Sequence, residues 1–145
     1  MSWRSGKSGG AGHDWLSPAD IAAKGHDVVM TPHVFCYLDY GQGLEGDPFQ
    51  YIGQGRTMEK LYSYDPCEGV PEEHRSHVLG GQCCMWGEFI WGYMDFTWKM
   101  WPRAFAISEV LWSYPSVRDY GAFKRRAAVH REKLVKRGYP CAPVK

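Results

Sequence analysis

Aromatic and acidic side chains follow two segments that the sequence predicts to be β-strands. Tyr37 and Asp39 come soon after the first segment, and Trp86 and Glu88 lie at and beyond the end of the second. An indole face can cover the C–H face of a sugar ring, while polar neighbours bind its hydroxyls. These residue types therefore suit a carbohydrate site. The alternative interpretation is that the aromatic rings belong to a core and the carboxylates are solvated loop charges.

The composition of the chain sets limits on its class. Its 145 residues are 44% hydrophobic, 23% charged and 15% aromatic, which is typical of at most one globular domain with an unusual share of large rings. A net charge of +1 provides no general attraction for nucleic acid or acidic membranes. No apolar run approaches the roughly 20 residues that span a bilayer, and the first residues lack the apolar core of a secretory signal. We therefore expect no nucleic-acid partner and no membrane span.

Cysteine usage indicates neither a disulfide framework nor a metal ribbon. The five cysteines are odd in number and contain no CxxC pair. A zinc site built from Cys67, His74 and His77 is an alternative, but its spacing matches no common ligand pattern. We expect ordinary thiols, no metal and no other cofactor, and the redox compartment stays open.

The first structural elements alternate between helix and strand. Ser17 and Asp20 form a capping-box-like pattern around Pro18, which predicts a short helix that ends at Gly25. Residues 26–32 then form a brief β-branched run closed by proline, as expected of a buried parallel strand. A helix followed at once by a strand is typical of an α/β fold.

The remaining elements follow a long loop. Residues 41–75 are rich in Gly, Pro and polar residues, with a helical turn or two predicted at 57–62. A second strand is predicted at 76–86, and the following aromatic stretch is interpreted as a loop.

Two helices are predicted at the C-terminal end of the chain. Residues 102–112 have helical apolar spacing, and a terminal helix at 120–137 is expected to bury Phe123, Ala127 and Leu134, with His130 as a further candidate. The basic outer face of the terminal helix is an alternative nucleic-acid surface. A solvated helix face is favoured because stacking aromatics are not interleaved with its charges.

Two strands and a terminal helix do not close a parallel sheet. Parallel sheets require cover on both faces and protection at both edges. The pattern therefore predicts a piece of a larger α/β domain.

Six segments in a fixed order resemble one family of enzymes. They are residues 1–4, 25–30, 36–40 (CYLDY), 57–66, 80–89 (GGQCCMWGEF) and 101–113, which begins WPRA and ends EVLWS. Together they resemble the β-N-acetylhexosaminidases of glycoside hydrolase family 20. The resemblance implies that residues 1–145 are the C-terminal segment of the catalytic domain. That segment would run from the end of strand six through helix eight of a (β/α)8 TIM barrel, with a terminal helix at about 120–137.

The resemblance also implies a reaction. Family 20 enzymes use the 2-acetamido group of the substrate as the nucleophile, while a family Glu protonates the leaving oxygen and the preceding Asp stabilises the acetamido nitrogen. That Asp-Glu pair lies in a His-x-Gly-Gly-Asp-Glu motif, and this sequence contains no Asp-Glu dipeptide. The resemblance therefore predicts a sugar-binding portion of the site, without its acid.

Five residues match sugar-binding positions of the family. By resemblance, the Tyr37 hydroxyl donates to the acetamido oxygen, and Trp3 helps to enclose the acetamido methyl. Trp86 stacks under the sugar ring, and Asp39 and Glu88 accept hydrogen bonds from its 4- and 6-hydroxyls.

Three other residues receive weaker interpretations. Arg103 and Glu109 also match the family, and we interpret them as a buried ion pair or a helix-end contact away from the pocket. His33 is a further candidate for the lining of the cleft, but it is not included in the site.

Three functions remain open at this stage, the third being a basic structural or nucleic-acid-associated module that depends only on the terminal helix. The first is a share in an exo-acting hydrolase that removes terminal N-acetylglucosamine or N-acetylgalactosamine from glycans or chito-oligosaccharides, completed by the missing N-terminal part of the barrel. The second is a non-catalytic carbohydrate-binding remnant. The family implies a secreted, periplasmic or lysosomal parent, and the choice between gluco and galacto sugars is undecided.

Overall fold

A computed structural model describes the backbone of residues 2–3 and residues 16–45, 47 and 55–145. Within this part of the chain the strands are β1 (Ser2–Trp3), β2 (Val28–Met30) and β3 (Val78–Gly81). The α-helices are α1 (Pro18–Ala23), α2 (His33–Cys36), α3 (Met58–Tyr62), α4 (Tyr93–Met100), α5 (Arg103–Trp112) and α6 (Tyr120–Lys136). Short 3₁₀ turns occupy Glu72–His77, Gly87–Phe89 and Pro115–Val117.

The start of α1 is determined locally, as the sequence predicts. The Ser17 hydroxyl accepts a hydrogen bond from the Asp20 amide at 3.1 Å, and the Asp20 carboxylate accepts one from the Ser17 amide at 2.9 Å. These reciprocal bonds satisfy amides that have no partner within the helix. After the helix ends, Gly25 adopts a φ of +79°, a conformation that glycine takes without strain.

The three described strands form one parallel sheet in the order β1, β2, β3. Val28 and Met30 of the central strand are buried, whereas Leu79 on β3 is 64% exposed. The strand predicted at 76–86 is shorter than expected. The amide of Gln82 still donates to the Met30 carbonyl at 3.0 Å, but beyond it the chain turns to pair with the segment after α2.

The aromatic stretch after β3 was predicted to be a loop, and this prediction is wrong because it contains α4. The buried residues of α4 are polar: Asp95, Thr97 and Lys99. The large apolar side chains Tyr93 and Met94 are exposed instead. A helix whose buried face is polar lacks the apolar periodicity on which the prediction depended.

The two C-terminal helices confirm their predictions. In α5 the buried residues include Ile107 and Val110, and in α6 they are Phe123 and Ala127. Leu134 is only half-buried, and His130 is exposed rather than buried, so the burial expected for both was overestimated.

Two arginines of α6 make contacts with other parts of the chain. Arg126 on the basic face of α6 pairs with Glu109, and Arg131 donates to the carbonyls of Cys141 and Ala142. Part of the basic face therefore has structural contacts. Among the described residues, no helix has the length and apolar character needed to cross a membrane.

Candidate functional site

Tyr37 and Trp86 lie against each other at the ends of adjacent chain segments. The Leu38 amide donates to the Cys84 carbonyl, and the Cys84 amide donates to the Cys36 carbonyl, both at 2.8 Å. This parallel bridge extends the sheet beyond β2 and β3 and brings the two rings within 6.0 Å, centroid to centroid, at an interplanar angle of 53°. The structure thus joins the two segments that the sequence predicted as site segments.

Two further rings surround Tyr37. His33 lies edge-on at 6.1 Å, and Tyr40 is stacked at 6.3 Å between centroids. The Arg56 guanidinium lies 4.8 Å above the Tyr40 ring, a cation–π distance. Sequence reasoning missed Tyr40, although its position shortly after Tyr37 and Asp39 was a usable signal.

Asp39 lies two residues after Tyr37 in the chain, and its side chain is buried. It is 1% exposed, and its Oδ1 atom makes no hydrogen bond to any described residue. Burial raises the pKa of the Asp39 carboxyl, the positive charges of Lys99 and Arg103 oppose that rise, and Glu88 adds to it. A desolvated carboxylate oxygen without a partner is an acceptor available to a ligand hydroxyl.

Glu88 is exposed and lies on the 3₁₀ turn Gly87–Phe89. The backbone at and after this turn is hydrogen-bonded to a buried ion pair of α4. The Lys99 ammonium contacts the Asp95 carboxylate at 3.0 Å, and both side chains are 1% exposed. Lys99 also donates to the Phe89 carbonyl, and Asp95 accepts from the Trp91 amide at 2.8 Å. The polar face of α4 therefore supports the backbone beside Glu88.

Trp3 is described only by its backbone, which pairs with Met30 as part of β1. Its side chain lies outside the described residues. Its proposed contact with an acetamido methyl stays a prediction.

The predicted association of Arg103 with Glu109 is wrong as an ion pair. The Glu109 carboxylate instead contacts the Arg126 guanidinium and accepts from the Tyr62 hydroxyl at 3.1 Å. The helix-end alternative fits Arg103, which donates to the Lys99 carbonyl near the end of α4. Arg103 also donates to the Leu38 carbonyl, so it contacts the segment that carries Tyr37 and Asp39.

The cysteines are free thiols, and all five lie among the described residues. Burial raises the pKa of Cys36 to about 12 and that of Cys83 to about 11, which makes both weak nucleophiles at neutral pH. No group of three potential metal ligands occurs in the described part of the chain, Cys67, His74 and His77 included.

A separate cavity of about 360 Å³ lies between α5 and α6. Its lining includes Phe105, Trp112 and Phe123, and none of the five predicted site residues. The aromatic cluster at the strand ends is therefore distinct from this cavity.

Parallel strands that alternate with helices, with rings and carboxylates beyond the strand ends, are typical of an α/β domain, the class that includes TIM barrels. The model of the glycosyl hydrolase family 20 catalytic domain matches residues 2–115. The chain belongs to this family, and it corresponds to part of the family's catalytic barrel.

Individual relatives agree with this assignment. The β-hexosaminidase of Akkermansia muciniphila is 33% identical over 113 residues, which cover 78% of this chain and 23% of the relative. The β-hexosaminidase subunit beta of Felis catus is 35% identical over 126 residues, which cover 86% of this chain and 21% of the relative. The chain thus spans under a quarter of the length of these two relatives.

A solved structure shows the same fold. The family 20 exo-β-N-acetylglucosaminidase of Vibrio harveyi, in complex with N-acetylglucosamine, aligns with a TM-score of 0.75 and 28% identity. The match covers 89% of this chain and 21% of that one.

Proposed function

We propose that this chain supplies the subsite for the terminal sugar in a β-N-acetylhexosaminidase. Two observations carry the proposal: the Tyr37 and Trp86 rings meet at 6.0 Å, and Asp39, two residues after Tyr37 in the chain, has a buried Oδ1 without a hydrogen-bond partner among the described residues. An apolar ring surface suits the C–H face of a pyranose, and a buried acceptor suits one of its hydroxyls.

Each side chain has one role in this proposal. Trp86 stacks against the sugar ring, and Trp3 encloses the acetamido methyl. Asp39 and Glu88 accept hydrogen bonds from the 4- and 6-hydroxyls, and the Tyr37 hydroxyl donates to the acetamido oxygen. The substrate is a terminal, non-reducing N-acetylglucosamine or N-acetylgalactosamine. The family membership and the sugar bound by the Vibrio harveyi relative support this class.

The reaction proposed for the complete enzyme is substrate-assisted hydrolysis with retention of configuration. The acetamido oxygen attacks the anomeric carbon as the glycosidic oxygen takes a proton and leaves, and water then opens the oxazolinium intermediate. The Asp-Glu pair that serves this step in the family does not occur in the sequence. We infer that this pair comes from the N-terminal part of the barrel, and that residues 1–145 run from the end of strand six through helix eight.

The sheet supports the inference that other strands complete the fold. Leu79 on β3 is 64% exposed even though it is a large apolar residue on a parallel strand. Parallel sheets are normally covered on both faces. The rest of a closed barrel, packed against this face of the sheet, would cover it.

The test compares Trp86→Ala with Trp112→Ala in the complete enzyme. Trp112 is 90% exposed on α5 and lies in the other cavity, which makes it a matched control. We expect Trp86→Ala to weaken N-acetylglucosamine binding about thirtyfold, because truncating a central aromatic contact costs about 2 kcal/mol or more. Titration calorimetry measures the dissociation constant of N-acetylglucosamine for both variants.

Two outcomes would count against the proposal. Equal affinity in the Trp86→Ala and unaltered proteins would remove Trp86 from the sugar site. Sugar binding without any hydrolysis of nitrophenyl N-acetylglucosaminide by the complete protein would favour the non-catalytic carbohydrate-binding alternative.

A further inference from the structure

Arg103 is the first residue of α5, and its side chain is fully buried, with 0% exposure. None of the ion pairs formed among the described residues includes it. Burial lowers the pKa of its guanidinium to about 9. A buried charge without a carboxylate in direct contact is costly unless other polar groups surround it.

The groups that surround the guanidinium include backbone carbonyls of residues 38–41, the segment that carries Asp39. Nη2 donates to the carbonyls of Leu38 at 2.7 Å and Tyr40 at 2.8 Å, and Nη1 donates to that of Gly41 at 3.0 Å. These carbonyls flank Asp39 on both sides. The planar, forked guanidinium suits several acceptors that converge from different directions.

The same side chain connects this segment to two other parts of the chain. Nε and Nη2 donate to the Lys99 carbonyl at 3.0 and 2.6 Å, near the end of α4. Nη1 also donates to the Arg56 carbonyl at 3.2 Å, and the Arg56 amide donates to the Gly41 carbonyl at 2.9 Å. Arg103 thus holds the turn around Asp39 against two neighbouring segments.

An apolar side chain at this position would fill the space but leave the carbonyls without donors. A lysine would keep the charge, but its single ammonium cannot replace a planar fork with separated donors. The contacts therefore require arginine in particular, and what they fix is the backbone that carries Asp39.

We propose that Arg103 is a positioning residue for sugar binding, which holds the backbone on both sides of Asp39 in its binding geometry before the sugar arrives. The inference rests on the proposed function of Asp39 as an acceptor for sugar hydroxyls.

The experiment compares Arg103→Lys with Arg118→Lys in the complete enzyme. Arg118 serves as the control because its guanidinium also donates to backbone carbonyls, those of Ser113, Tyr64 and Val110, and none of these flanks Asp39. We expect Arg103→Lys to raise KM and the Kd for N-acetylglucosamine at least about tenfold, since displacements near 1 Å can cost about 10²-fold. Arg118→Lys should lower the Tm and leave both constants within about twofold. Equal behaviour of the two variants would overturn the positioning role.

A double-mutant cycle with Asp39→Asn shows whether Arg103 acts through Asp39. If it does, Arg103→Lys should weaken sugar binding by less than about twofold once Asp39 is already asparagine, because coupled residues are not additive. Full additivity would mean that Arg103 acts elsewhere. Unchanged binding in Asp39→Asn would reject the proposed function of the site. Normal binding in Arg103→Lys beside impaired binding in Asp39→Asn would reject the positioning role alone.

Hydrogen exchange on the unaltered enzyme provides a measurement that does not depend on how the variants fold. We expect the amides of residues 38–41 to exchange as slowly without sugar as with N-acetylglucosamine, because Arg103 already orders them. Fast exchange that slows only on addition of the sugar would overturn the proposal, since the ligand would then order the segment.

Discussion

The rings of Tyr37 and Trp86 lie 6.0 Å apart at an angle of 53°, Tyr37 directly after α2 and Trp86 on the segment beyond β3. The paired amides and carbonyls around Cys84 hold the two segments in register. The angle between the rings leaves them neither parallel nor stacked, so they form a corner rather than a closed pair. A sugar that stacks on Trp86 would present its substituents toward Tyr37.

The hydroxyl of Tyr37 is expected to act in the chemical step. We predict that Tyr37→Phe in the complete enzyme lowers kcat about 10²-fold or more, as for the loss of one oxyanion-hole donor, while KM changes much less. The ring is kept, so packing is nearly unchanged. Steady-state kinetics on nitrophenyl N-acetylglucosaminide measure the effect. A steady kcat with a raised KM would instead assign the hydroxyl to uniform binding.

The Glu88 carboxylate is expected to bind the 6-hydroxyl. Glu88→Gln should weaken binding of the terminal sugar about tenfold or more, because a hydrogen bond to a charged acceptor contributes about 1.5–3 kcal/mol. The loss should be smaller for a 6-deoxy substrate, which cannot make this bond. Equal losses on the two substrates would remove Glu88 from the 6-hydroxyl.

Asp39 should determine the pH dependence of sugar binding on the acid side. Because burial raises the pKa of Asp39, its carboxylate takes up a proton at a higher pH than an ordinary Asp, whose pKa is about 3.9. We expect affinity for N-acetylglucosamine to fall as the pH is lowered through this raised pKa, and we expect this decrease to be absent in Asp39→Asn. A decrease in affinity that persists in Asp39→Asn would belong to another titrating group.

The same residue makes an opposite contribution to stability. The folded protein favours the protonated form of Asp39, so the ionised form is destabilising relative to the unfolded chain. Stability from Asp39 is therefore present below the ordinary pKa and is lost as the pH rises through the raised one. Urea denaturation of the unaltered enzyme and of Asp39→Asn across this pH range tests the sign. As the pH rises, the free energy of unfolding of the unaltered enzyme should fall relative to that of Asp39→Asn.

The buried pair on α4 should be costly to break. Lys99→Met leaves the Asp95 carboxylate buried at 1% side-chain exposure without its ammonium, and we expect a loss of about 3–5 kcal/mol in the free energy of unfolding. The double variant Lys99→Met with Asp95→Leu should recover much of this loss, because no uncompensated charge remains. Urea denaturation measures all three proteins, and a double variant no more stable than Lys99→Met would contradict the explanation.

The 145-residue chain by itself should neither catalyse the reaction nor fold well. The Asp-Glu pair that supplies the acid in the family does not occur in the sequence, and a general acid typically contributes about 10²–10⁴ in rate. Exposed parallel edges also favour aggregation. We expect no hydrolysis of nitrophenyl N-acetylglucosaminide above background. Turnover that survives purification and responds to Glu88→Gln, or a sharp cooperative melt of a monomer, would refute this prediction.

The sequence by itself determined the features that depend on neighbouring residues. The capping box of Ser17 and Asp20 defines the start of α1, because both partners lie within one helical turn. The apolar spacing of α5 and α6 predicts their buried faces. The six ordered segments also identified the family, because each motif is contiguous in the chain.

Only the tertiary structure decided the contacts that support the site. The helix α4 was missed because its buried face holds the Asp95–Lys99 pair, and a polar buried face has the sequence pattern of a solvated one. The partners of Arg103 include the backbone carbonyls of Leu38, Tyr40 and Gly41. Every residue carries a carbonyl, so such contacts leave no pattern of side-chain types, and only the folded chain shows which carbonyls converge on the guanidinium.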